Sequence, residues 1–109
     1  MPTILKHSVR NEIGTTLEDI VTVQTGIKVA VIGYNVVNVT EELVSINSYV
    51  LDSSSTQSFY VKDLLIPPRT TVKLVTNGEK LVLDSESVLQ IESNRANSID
   101  VTVSYVEIS

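Results

Sequence analysis

The residues able to do chemistry in this chain are few and scattered. His7 is the only histidine. Acid–base and nucleophilic catalysis commonly recruit a histidine held within hydrogen-bond reach of its partner. His7 stands in a polar opening segment, a poor platform for a triad, and reads as a solvated side chain. The carboxylates Glu41, Glu42, Asp52, Asp84 and Glu86 fall in turns. A glycosidase pair must face across a cleft, and sugar clefts are lined with aromatics. With no Trp, one Phe and four Tyr, these acids read as solvated turn residues.

Two short motifs fail on chemistry. Asp84-Ser85-Glu86 lacks the alternating acids and central glycine of a calcium loop. Asn77-Gly78-Glu79-Lys80 lacks the glycine pattern of a phosphate loop and reads as a hairpin turn. Cysteine is absent, which excludes disulfides and thiolate metal sites within these residues. The expectation is a non-enzyme with no catalytic residues, cofactor, metal or small-molecule substrate.

What remains is contact chemistry. Lys6, His7 and Arg10 precede the first acidic residue, Glu12. They make residues 1–16 a mildly basic segment ahead of an acidic body. It reads either as a frayed terminus or as an arm lying on an acidic neighbour. Tyr34, Tyr49 and Tyr60 are the aromatic candidates, since exposed tyrosines are favoured contact residues. Phe59 and Tyr60 are adjacent, so on a strand one faces the core and the other faces out. Lys6, His7, Arg10, Tyr34, Tyr49 and Tyr60 are therefore the expected protein interface. The three tyrosines also form the only conceivable sugar platform.

Bulk charge narrows the partners. The formal net charge is −5, the opposite of what neutralises nucleic-acid phosphates or docks on anionic lipid. The opening MPTILKHSVRNE holds no apolar core of signal-peptide length, so use without secretion is expected. Asn38-Val39-Thr40 matches the glycosylation sequon, and in that setting the match is read as chance.

The elements that position these residues are strands. The chain has 18 Val and 10 Ile against 10 Leu and 2 Ala, with 13 Ser and 11 Thr. β-Branched side chains lose freedom in helices and fit pleated sheets. Strand signals run over 20–25, 27–39, 43–51, 58–66, 71–76, 80–83, 87–93 and 99–108, and Pro67-Pro68 ends the fourth. The long second run breaks phase near Gly33, where a bulge or bend is expected. Asn77-Gly78 suits a type I′ turn, which pairs 71–76 with 80–83 in a hairpin. Asp52–Gln57 is the expected flexible tip. About eight short strands with regular turns indicate an all-β fold, an antiparallel β-sandwich of jelly-roll kind, with a barrel as the alternative. The expected organisation is an arm over 1–16 and one sandwich domain over 17–109.

The stretches LKHSVRNEIGTT, KVAVIGYNVVNV, IPPRTTVKLVTNGEKLVLDSESVLQIES and DVTVSYVEIS resemble small virion structural proteins of tailed bacteriophages, of the marine and cyanobacterial myovirus type. Pro67-Pro68-Arg69-Thr70 departs from the proline followed by a glycine-containing turn expected there. The resemblance implies a β-sandwich present in many copies on the particle, made in the host cytoplasm and located in the virion. Capsid decoration as a cement protein is its most specific form. A neck, tail or baseplate adaptor is the alternative, and a carbohydrate-binding module is the alternative of another class. It implies as partners the major capsid protein or tail and neck components, together with further copies of the chain as a homo-oligomer.

Overall fold

The computed structural model describes residues 3–75 and 80–109. The β-branched runs form strands β1 (Thr3–Ile13), β2 (Glu18–Thr22), β3 (Lys28–Asn38), β4 (Val44–Leu51), β5 (Gln57–Ile66), β6 (Thr71–Val75), β7 (Leu81–Leu83), β8 (Val88–Ser93) and β9 (Ile99–Ile108). They make two antiparallel sheets. Sheet A has the order β1-β9-β3-β6, with β7 also on β3, and sheet B has the order β2-β8-β4-β5.

The order has a simple origin. If β6 and β7 count as two pieces of one strand, each strand pairs with its counterpart from the other end of the chain. The pairs are β1 with β9, β2 with β8, β3 with β6 and β7, and β4 with β5. The chain is thus one long hairpin rolled so that successive pairs alternate between sheets, which is a jelly roll. Its tip is the Asp52–Thr56 loop. There Asp52 Oδ1 accepts from Ser54 N–H at 2.9 Å, Ser54 Oγ at 2.8 Å and Thr56 N–H at 3.0 Å. These donors hold the Asp52 carboxyl below its ordinary pKa.

The core lies between the sheets. Sheet A contributes Val29, Val31, Tyr34, Val36, Ile99, Val101 and Val103, and sheet B contributes Val44, Ile46, Leu89 and Ile91, all buried. Strands β4 and β9 show the simple alternation that buries one face of a half-solvated sheet. Gly26, with φ +82°, sits in the Gln24–Ile27 turn that carries the chain from sheet B to sheet A. Only glycine adopts that φ at no steric cost.

The structure departs from the sequence reading in three places. The arm expected over 1–16 is, over Thr3–Ile13, edge strand β1 paired along β9. Its side chains are exposed on both faces until Ile13, apart from half-buried Ser8, so no apolar alternation marks it. The strand facing it, β2, has five residues against its eleven.

The hairpin expected between 71–76 and 80–83 is not how those strands pair. Both lie antiparallel to β3, β6 against Tyr34–Val37 and β7 against Val29–Val31. They therefore run in the same direction, and the eleven residues of β3 serve both. The Asn77-Gly78 turn itself lies outside the described residues.

The third departure is Tyr34. The expected bulge is present, as a register shift between Val31 and Gly33 against β9. It moves the buried phase from Val29 and Val31 to Tyr34 and Val36, which takes Tyr34 from the outward face to the core.

Candidate functional site

Opposed residues on neighbouring strands point the same way, so the register identifies which side chains share a face. On sheet A, Leu5 lies opposite Val106, Val106 opposite Ala30, and Ala30 opposite Val82. Val29 and Val31, on either side of Ala30, are buried, so this four-strand row faces outward. Leu5 is 74% and Val82 62% exposed. Parallel rows on the same face carry Thr3, Ile108 and Lys28 on one side. On the other side lie His7, Ser104 and Gly33, then Val9, Thr102, Asn35 and Lys73. An apolar centre is thus flanked by Lys28, which pairs with Asp84, and by Lys73. The acid one row further, Asp100, is engaged with the Glu12 N–H at 2.9 Å.

The outward face of sheet B is built differently. Its central row is Phe59, Tyr49, Gln90 and Asp19. The Tyr49 ring lies 4.8 Å from that of Phe59 at 36°, and Lys62 Nζ stands 5.3 Å from the Phe59 centroid. Gln57 Nε2 donates to Gln90 Oε1, and Gln90 Nε2 donates to Asp19 Oδ1, each at 2.9 Å. This relay ties β5 to β8 and β8 to β2. Tyr49 Oη donates to Glu92 Oε2 at 2.5 Å. The face therefore presents Phe59, Tyr49 and exposed Leu65 with Asp19 and Glu92 among them.

The hydrogen bond to Glu92, aided by partial burial, pushes the Tyr49 hydroxyl up to about 12. A raised folded-state value favours the neutral phenol. Its stabilisation is complete below the unfolded value of about 10 and is lost as pH rises through about 12. Absorbance titration at 295 nm should show Tyr49 ionising late, and Glu92→Gln should return it toward about 10. A Tyr49 transition unmoved by Glu92→Gln would contradict the assignment.

The expected site residues do not assemble into one patch. His7 faces outward on sheet A beside the apolar row. Lys6 points to the opposite side, with Nζ 3.1 Å from Glu107 Oε1. Arg10 is engaged locally, donating to Val9 O at 3.0 Å and Ser8 Oγ at 3.4 Å. Tyr34 is fully buried. Tyr60 lies nearly parallel to it, at 12° and 6.4 Å, and donates to Leu74 O at 3.2 Å. Tyr49 alone of the three tyrosines belongs to an outward row, so the three-tyrosine platform does not form.

Phe59, Leu5 and Val82 are exposed apolar side chains of these outward rows that sequence reasoning did not place there. Leu81-Val82-Leu83 is apolar throughout and gives no phase. Phe59 and Tyr60 could be sorted only with the β5 register, which shifts twice against β4.

The turn acids each have local partners. Glu41 pairs with Arg69, Glu42 with Arg95, and Asp84 with Lys28, while Glu86 accepts from Thr25 Oγ1. The sequon asparagine is structural. Asn38 is fully buried, and its Nδ2 donates to Glu42 O at 2.8 Å, Ile66 O at 3.0 Å and Pro67 O at 3.2 Å. Its nitrogen is therefore closed to glycosylation in the folded domain, and Thr40 serves as a donor to Asn38 Oδ1.

No family model matches the chain, and no curated protein matches it by sequence. Solved structures do share its fold. One is a chain of the disulfide-linked pili that form Bacillus endospore appendages, with 12% identity, 98% of this chain and 88% of that one covered, and TM-score 0.56. Another is a chain of the acid-stable capsid of Helicobacter pylori bacteriophage KHP30, with 12% identity, 98% and 93% covered, and TM-score 0.54. The likeness is one of fold: the jelly roll of this chain is similar to those of a pilus protein and a phage capsid protein.

Proposed function

We propose that this chain is a non-enzymatic structural protein of a bacteriophage virion, with capsid decoration its most specific form. The observation that carries the reading is the likeness over 98% of the chain to a phage capsid protein. The motif resemblance to small virion proteins supports it independently. The surface supports it as well, since apolar side chains gathered in cross-strand rows are contact material. The partners are then the major capsid protein or neck and tail components, together with further copies of the chain, and the location is the particle. The sugar-platform reading loses Tyr34 and Tyr60, which pack inward.

Mass spectrometry of purified particles tests the reading. Peptides of this chain are expected at a copy number comparable to that of the major capsid protein. A few to a few dozen copies per particle would move it to the neck or tail, and absence from purified particles would overturn a virion role.

A further inference from the structure

The two outward faces differ in charge on a chain whose net charge is −5. The apolar row Leu5–Val106–Ala30–Val82 on sheet A is flanked by Lys28, which pairs with Asp84, and by Lys73. The aromatic face of sheet B holds Asp19 and Glu92, and its cation Lys62 stands over Phe59. We infer that copies of this chain stack face to back, the outward face of sheet A of one copy packing on the outward face of sheet B of the next.

Three considerations favour a second copy as the occupant. A net-negative body repels its own kind at a distance, so self-contact requires local charge complementarity, which Lys73 on sheet A set against Asp19 and Glu92 on sheet B supplies. Each face also has an apolar centre for the other to cover: Leu5 and Val82 on one, Phe59 and Leu65 on the other. Finally, the body measures 45 × 28 × 20 Å. Its broad faces have room for the roughly 800 Å² per partner of a stable interface.

A contact between unlike faces does not close on itself in a pair. It generates rings or open stacks. These 109 residues carry no cysteine, so such stacks would hold without disulfides. The inference refines the structural-protein reading by naming a contact, and the two are tested by different measurements.

Sedimentation velocity of the full chain over a concentration series is the test. The expected result is association that passes beyond a dimer as concentration rises. Val82→Glu, at an exposed position on face A, should weaken it by about tenfold or more, because it sets an unpaired charge in the apolar centre. Lys73→Glu and Asp19→Lys should each weaken it alone. An equimolar mixture of those two variants should restore it, because each face A then meets a face B of opposite sign. Circular dichroism confirms that each variant is folded.

A monomer at every concentration would overturn the inference, as would association that stops at a dimer. Failure of the folded mixture to recover would also overturn it. Binding of a monomeric chain to purified capsids, abolished by Val82→Glu, would reassign face A to a capsid partner and leave the virion reading standing.

Discussion

Asn38→Asp is expected to destabilise the domain by about 3–5 kcal/mol at pH 7. The Asn38 amide joins two turns: it donates to Glu42 O, Ile66 O and Pro67 O, and accepts Thr40 N–H at 2.9 Å and Thr40 Oγ1 at 2.7 Å. Its own N–H donates to Thr70 O at 3.0 Å. Three carbonyls converge on the nitrogen, so a carboxylate oxygen there meets three acceptors and no donor. The fully buried site adds the cost of removing a charge from water.

The folded domain should therefore raise the pKa of the introduced Asp above its unfolded value of about 3.9. The penalty is then largest at neutral pH and shrinks as pH falls toward that value, where a protonated carboxyl donates to one of the carbonyls. Asn38→Ala removes the same donors without a charge and should cost about 3 kcal/mol with little pH dependence. Urea melts of the three proteins at pH 7 and near pH 4 check both parts. An Asp variant within about 1 kcal/mol of the parent at pH 7 would show that the amide does not hold the turns. Since small domains have only about 5–15 kcal/mol in total, the Asp variant should sit near the edge of folding.

How much of this was legible in the sequence depends on one-sided burial. β4 and β9 alternate cleanly because one face is core and the other is solvent, and both are readable from Val44, Ile46 and Val50 or from Ile99, Val101 and Val103. The ends set by Gly26 and Pro67 were readable too, because their backbone chemistry is local. β1 was not, because an edge strand wet on both faces carries no period. The pairing of β6 and β7 was not, because a turn dipeptide reports local preference, whereas the length of β3 offered both segments a partner. The outward apolar row of sheet A was the least legible. It depends on which residues sit opposite each other across four strands, and Leu5, Val106, Ala30 and Val82 are far apart in the chain.

The same register logic governs the most consequential core residue. Gly33 announces a bulge, but only the bulge's position decides that Tyr34 turns inward. Once there, its hydroxyl must find a partner. Ser48 Oγ donates to Gln90 O at 2.9 Å, which commits the one serine proton. Tyr34 Oη therefore donates to Ser48 Oγ, at 2.7 Å, linking the two sheets through the core. Burial pushes this hydroxyl above the ordinary tyrosine range, which favours the neutral, donating form.

Tyr34→Ala should cost about 3–5 kcal/mol, since it opens a cavity and removes the ring that Tyr60 packs against. Tyr34→Phe keeps the packing and should cost about 1 kcal/mol. Ser48→Ala should cost about 2 kcal/mol, because it strands both the buried phenol and the Gln90 carbonyl. The double variant Tyr34→Phe with Ser48→Ala should then cost less than the sum of the two, with a coupling of about 1 kcal/mol. Additive losses in equilibrium unfolding would mean that the two hydroxyls act independently, and the polar link between the sheets would have to be abandoned.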